Sequence, residues 1–336
     1  MIELLKRLCS EFGTSGDEEN IRKIIIDEIK DYCEFKVDPL GNITAFKKGK
    51  NRAEKKVLLD AHMDEVGLII TSVTADGYLK FAAVGGIDTA VMLSRQVVIN
   101  GKVPGVIGMR PVHLQSKEES VKLPKSSSLY IDIGAKDRDE ALEFVSEGDR
   151  AVISGPFFEV GNKIISKALD DRVGCAVLCD ILKSEAEYDF YASFSVQEEV
   201  GLRGAKTAAF SIDPDAAIIL EGTTAADIAG VEPEKAVCRL GKGVAVSFMD
   251  GGCVYDRKYF ELSLKSGITA QKKCGVTGGN NAGSVHLTKG GVRTLALSVP
   301  CRYIHSASSV CDTEDIKSAR LLAEYMLNLI ASGKDL

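Results

Sequence analysis

Lys56-Val57-Leu58-Leu59-Asp60-Ala61-His62 is a short, nearly continuous apolar run that ends on a histidine. A run apolar at consecutive positions, too short for a helix of ordinary length, reads as a strand buried on both faces in the middle of a sheet. Two runs of the same kind follow, Tyr188 to Val196 and Ala216 to Leu220. Helical patterns lie around them. Ile21, Ile25 and Ile29 recur every fourth residue behind a start signal, Gly13-Thr14-Ser15-Gly16 followed by Asp17-Glu18-Glu19. Val173, Val177 and Ile181 share one face of Asp171 to Leu182, and Thr313 is expected to cap a last helix carrying Ile316, Ala319, Ala323, Met326, Leu327 and Ile330. Strands alternating with helices predict an α/β domain.

The middle of the chain has another texture. Short Val/Ile-rich runs broken by glycine, such as Val97-Val98-Ile99-Asn100-Gly101 and Gly105-Val106-Ile107-Gly108, predict a small all-β barrel or sandwich. The expected organisation is one α/β domain, residues 1–66 and 163–336, interrupted by a β domain at 67–162.

Composition narrows the function classes. With 336 residues, 45% hydrophobic and 27% charged, the chain has the makings of a soluble globular protein with a sizeable core. A net charge of −6 disfavours nucleic acid, and the absence of Trp argues against stacking platforms for bases or sugars. No stretch approaches a membrane span, and the N-terminal residues mix acids and bases without a signal-like apolar run. The nine cysteines include no C-x-x-C pair and read as reduced thiols, so a cytoplasmic location is expected. Cys175 and Cys179 share a helix face, a spacing better suited to packing than to a structural zinc site.

The chemistry gathers where the strand-like runs end, the region in which open α/β sheets place functional groups. Ala61-His62-Met63-Asp64, Ala168-Leu169-Asp170-Asp171-Arg172, Gln197-Glu198-Glu199, Leu220-Glu221-Gly222 and Tyr303-Ile304-His305-Ser306 supply imidazoles and carboxylates. Each segment alone is an ordinary loop or cap; together they carry the inventory of a two-metal hydrolase. Two divalent cations roughly 3.5–4 Å apart acidify a shared water and polarise a carbonyl. His62 and Glu221 would hold one ion, Glu199 and His305 the other, with Asp170 bridging. Three carboxylates against two dications leave one positive charge, which a bridging hydroxide neutralises. Glu198 is left as general base. Neighbouring strand residues point to opposite faces, so Glu198 and Glu199 serve together only if the chain turns there, as Val200-Gly201-Leu202-Arg203-Gly204 permits. Asp64 would accept the second imidazole N–H of His62 and fix its tautomer. His113 and His286 read as structural.

These residues resemble the tetrahedral aminopeptidases, a family of glutamyl aminopeptidases some of whose members are called endoglucanases. The resemblance runs along almost the whole chain. It is carried by Ala61-His62-Met63-Asp64-Glu65-Val66-Gly67, by Gly105-Val106-Ile107-Gly108 with Pro111 and His113, and by Tyr130-Ile131-Asp132-Ile133-Gly134-Ala135. It continues through Lys167-Ala168-Leu169-Asp170, Gln197-Glu198-Glu199-Val200-Gly201-Leu202-Arg203-Gly204-Ala205 and Arg302-Tyr303-Ile304-His305-Ser306. The resemblance implies a phosphorylase/hydrolase-like three-layer catalytic domain with an inserted PDZ-like β domain. It implies two zinc or cobalt ions per subunit and homododecamers that trim short peptides from the N-terminus. It places His62, Asp170, Glu199, Glu221 and His305 as ligands, Glu198 as base and Asp64 as the supporting aspartate. Three positions depart from the family pattern: Asp171 stands where Asn is common, Glu221 where Asp is common, and Asn281 in Gly278-Gly279-Asn280-Asn281-Ala282-Gly283 replaces an acid.

The alternative on the same metal centre is an amide deacylase acting on N-acylated amino acids; the two separate on whether the substrate needs a free α-amine. A peptide-binding shell without catalysis would separate on metal content. A two-carboxylate glycosidase would leave the histidines without a role.

Overall fold

The computed structural model describes residues 1–117 and 121–334. Val57–His62 is buried at every position and lies inside an 11-stranded sheet. Phe190–Ser195 and Ala216–Thr224 flank it, both parallel to it. Arg293–Arg302 runs parallel to Ala216–Thr224. Beyond it Ser309–Asp312, Lys163–Ser166 and Phe158–Val160 follow, each antiparallel to the last. Ile43–Lys47 and Glu34–Val37 finish the other side.

Helices cover both faces, and the central strand shows why. Val57, Leu59 and Ala61 pack with Leu5, Ile25, Val173, Val177 and Met326, from the helices Ile2–Ser10, Glu19–Ile29, Leu169–Lys183 and Thr313–Ala331. Leu58 points the other way, toward Ala205, Ala209 and Ile212 of the helix Arg203–Ile212. Burial of a side chain of Val or Leu size contributes about 1.5–3 kcal/mol, so a strand apolar on both faces is worth most at the centre.

Residues 67–153 contain a second, smaller structure. Gly67–Val73, Leu79–Val84, Tyr130–Asp132, Val103–Gly108, Gln96–Ile99 and Arg150–Ile153 close, in that spatial order, into a six-stranded barrel. It has its own core, including Leu68, Ile70, Val97, Ile99 and Ile131. The next strand, Phe158–Val160, already belongs to the large sheet.

Several boundaries differ from the sequence reading. Ala216–Thr224 runs four residues past Leu220, so Glu221 lies within the strand. The last helix is capped by Asp312, whose carboxylate accepts from the Glu314 amide, rather than by Thr313. Glu18, at the N-cap of Glu19–Ile29, makes no side-chain cap bond to its own helix. Among the described residues no helix is long and apolar enough to cross a membrane.

Candidate metal centre and active site

The parallel strands place the candidate residues at one end of the sheet. His62 is the last residue of its strand and pairs in register with Ser195, so Glu198 and Glu199 leave the neighbouring strand close by. Glu221 lies opposite Ser298 of Arg293–Arg302, the strand that leads into His305. Asp170 arrives from the far side, on the turn before the long helix, joined to Asp171 by a cis peptide bond.

Their side chains converge. His62 Nε2 is 3.2 Å from Glu221 Oε1 and 3.5 Å from Asp170 Oδ1. His305 Nε2 is 3.2 Å from Glu199 Oε1 and 3.5 Å from Asp170 Oδ2. Asp170 therefore offers one oxygen to each imidazole. The two halves differ in depth: the His62 side chain is 1% exposed and that of His305 is 32% exposed, so the second half opens to solvent.

The opposite nitrogen of each ring is held by a backbone carbonyl. His62 Nδ1 lies 3.1 Å from the carbonyl oxygen of Asp64 and 3.4 Å from its carboxylate. His305 Nδ1 lies 2.9 Å from the carbonyl oxygen of Gly86, which follows a barrel strand. Both arrangements favour N–H at Nδ1 and a free lone pair on Nε2. The Asp64 carboxylate is chiefly occupied elsewhere, accepting from the amides of Glu198 at 3.0 Å and Glu199 at 3.1 Å. Asp171, the extra acid, turns to the backbone, accepting from the amides of His62 at 3.1 Å and Gly174 at 3.0 Å.

A buried ionic junction ties the ligand loops together. Lys167 Nζ bonds both oxygens of Glu65, at 2.7 and 2.9 Å, and the Glu11 carbonyl at 2.9 Å. Arg172 reaches Glu65 at 3.2 Å and the carbonyls of Leu8 and Gly13. The segments carrying His62 and Asp170 are thus fixed to each other and to the N-terminal stretch that holds Leu8, Glu11 and Gly13.

The electrostatics suit cations. Burial pulls His62 down, but Glu221, Asp170 and Asp64 together hold it well above the ordinary histidine range. Burial likewise opposes protonation of His305, yet Asp170 and Glu199 push it up to about 11. Burial pushes Glu198 up to about 8, with Glu199, Asp170 and Asp64 adding to the shift against the opposing pull of His62. Asp170 Oδ1 and Glu221 Oε2 are buried without a hydrogen-bond partner among the described residues. Unpaired carboxylate oxygens at this depth are costly unless a cation meets them. Imidazole nitrogens and carboxylate oxygens are the donors that zinc-class ions take, so this set fits a divalent pair. The groupings of His, Asp and Glu close enough for one ion are His62 with Asp171 and Glu221, His62 with Glu198 and Glu199, and Asp170 with Glu199 and His305.

The cluster floors a pocket whose walls include Thr223, Thr224, Lys273, Gly278, Gly279 and Ile304. Lys273 escaped the sequence reading, because a lysine in Lys272-Lys273-Cys274 carries no pattern. Asn281 is off the wall: it is buried, and its amide donates to Asp60 Oδ2 and Ser195 Oγ, both at 2.8 Å. His286 bonds the carbonyl of Ala282, and His113 is exposed on the short turn Val112–Leu114.

Comparison with known proteins identifies the family. The family model described as M42 glutamyl aminopeptidase matches residues 41–322. A lysyl aminopeptidase of Pyrococcus furiosus is 33% identical over 344 residues, covering 97% of this chain and 96% of the relative. A TET aminopeptidase structure from a marine-sediment Thaumarchaeota archaeon superposes with TM-score 0.94 at 33% identity, covering 99% of this chain and 97% of its own. The TET1 peptidase of Pyrococcus horikoshii, which can assemble into a tetrahedron or a large octahedral shell, superposes with TM-score 0.84 at 35% identity, covering 98% and 99%. The chain is a metallo-aminopeptidase hydrolase and belongs to the M42 glutamyl aminopeptidase family.

Proposed function

We propose that this chain removes N-terminal residues from short peptides using two divalent cations, zinc or cobalt. His62 and Glu221 would hold one, Glu199 and His305 the other, with Asp170 shared between them. The observation that carries the reading is the Asp170 carboxylate, with Oδ1 toward His62 and Oδ2 toward His305. Bound there, the cations would acidify a shared water and polarise the scissile carbonyl.

The protein's own groups do the rest. Glu198 has no hydrogen-bond partner for its carboxylate among the described residues and lines the pocket, free to take the water's proton and return it to the leaving amine. Asp64 holds the backbone that carries Glu198 and Glu199. A free α-amine held at the centre would position the first peptide bond over it.

The same reading takes residues 1–66 and 163–336 as a phosphorylase/hydrolase-like three-layer catalytic domain, to which Phe158–Val160 adds an edge strand, and the barrel within 67–162 as a PDZ-like insert serving assembly. Helices on both faces of the large sheet and the closed barrel support it. The assembly proposed is a homododecamer, by analogy with the PhTET1-12s structure, a dodecamer in its asymmetric unit.

Free peptides and their N-acetylated counterparts, offered with Zn²⁺ and Co²⁺ separately, test the reaction. Stepwise release of amino acids from the free peptides alone is expected. Efficient cleavage of the acetylated set would assign the centre to amide deacylation instead.

A further inference from the structure

The segment Gly13–Glu18 precedes the residues matched by the family model and has the composition of a helix start. Its side chains do not cap the helix that follows. Ser15 Oγ donates to Asp64 Oδ2 at 2.6 Å, and Thr14 Oγ1 donates to the Glu65 carbonyl at 3.0 Å. Glu18 Oε1 accepts from the amides of Gly16 at 2.7 Å and Gln197 at 3.1 Å. Residues of this type normally satisfy the free amides at the start of their own helix; here they reach the loops that bear His62 and Glu198.

The contacts complete a pattern around the catalytic pair. The amides of Gln197, Glu198 and Glu199 are consecutive, and all three end on buried carboxylates: the first on Glu18, the next two on Asp64. Hydrogen bonds from consecutive amides to buried carboxylates fix the backbone that carries them. They are needed at this point, because Gln197 sits at φ +57°, left-handed backbone that a residue with a Cβ adopts at a cost. That turn brings both adjacent glutamates to the pocket, where a continued strand would send them to opposite faces.

We infer that Glu18 is a positioning residue for the base: together with Ser15, which acts through Asp64, it holds Gln197–Glu199 in the turn that aims Glu198 into the pocket. The inference rests on Glu198 being the base.

The test uses the full chain with its metal content measured. Glu18→Ala removes the acceptor from two amides and should lower kcat by ~10- to 10²-fold, the scale of a small misplacement, with KM changed less than about twofold. Metal content should match wild type. Glu18→Gln keeps an oxygen that can accept the same two N–H groups and should recover most of the loss. In a Glu198→Gln background, Glu18→Ala should cost less than about twofold more, because residues acting as one unit are non-additive. In the metal-free protein, amide hydrogen exchange at Gln197, Glu198 and Glu199 should speed up in Glu18→Ala. Ser15→Ala, a smaller change at the same junction, carries the comparison if Glu18→Ala does not fold. Full activity of the folded variant, or an equal loss in both backgrounds, would overturn the inference and leave the metal-aminopeptidase reading intact. A fully active Glu198→Gln enzyme would overturn both the base assignment and the inference built on it.

Discussion

Asp170 faces both imidazoles, so its removal takes a donor from both ions at once. Asp170→Ala is expected to empty the centre, whereas His62→Ala or His305→Ala should each weaken mainly one ion; metal stoichiometry after gel filtration separates these outcomes. Wild-type stoichiometry in Asp170→Ala would refute the bridge. Glu198→Gln should keep its metals and lose at least ~10²-fold in kcat, the lower range for a general base. A third expectation follows from charge. In the metal-free protein His305 is pushed up to about 11 and His62 well above its ordinary value, so at pH 7–8 both imidazoles carry protons that a cation must displace. Loading should therefore release about two or more protons per chain, and apparent affinity should rise with pH across this range. Calorimetry in buffers of different ionisation heat reads the number, and proton-neutral binding would contradict the donor set. The side chains at this centre were legible in the sequence, because each donor closes or follows a recognisable apolar run. Their supports were not: the carbonyls of Asp64 and Gly86 that orient the rings are backbone atoms, which any residue would supply.

Elements bring these groups into reach, and the join between Phe190–Ser195 and Arg203–Ile212 is closely packed. Asn42 is fully buried there, its Oδ1 accepting from the Val196 amide at 2.9 Å and its Nδ2 donating to the Gly204 carbonyl at 3.1 Å. Gly204 lies so close that an added Cβ would collide with the Asn42 side chain and with the backbone of Val196. Gly204→Ala should accordingly lower stability by about 1–3 kcal/mol, the range for overpacking, and displace the Glu198–Glu199 turn. Chemical denaturation beside kcat measures both effects, and an unchanged midpoint would show that the helix has room to move. The central strands and the buried face of Ile21, Ile25 and Ile29 were predictable because apolar spacing reports burial directly. The start of the long helix was less so. Asp171 to Leu182 has the helical pattern, yet Asp170 and Asp171 have non-helical dihedrals at the head of Leu169–Lys183. The Asp171 carboxylate bonds the His62 amide with one oxygen and the Gly174 amide with the other, and the long-range half of that pair leaves no local periodicity.

At the scale of the whole molecule, the barrel has its own core and still touches the chemistry through Gly86. Glycine-punctuated runs made the barrel foreseeable, while its contact with His305 depends on how two separately folded parts meet. Two edge strands of the large sheet are exposed. Glu34–Val37 is exposed at every position, and Phe158 and Val160 on the opposite edge are 53% and 63% exposed. The barrel side adds Leu114, Val121 and Leu123, all exposed. Open strand edges and uncovered apolar side chains are the surfaces that association buries. The proposed homododecamer would cover them and enclose the active sites. Native mass measurement should then find a particle many times the 36.1 kDa chain. Enclosure has a second consequence, which mass alone does not read. A folded protein with an accessible N-terminus should resist trimming, while the same chain unfolded, or a short peptide of the same N-terminal sequence, is shortened. A fully active, monodisperse monomer at working concentration would sink the assembly proposal, and equal trimming of the folded and unfolded forms would show that the sites are not enclosed.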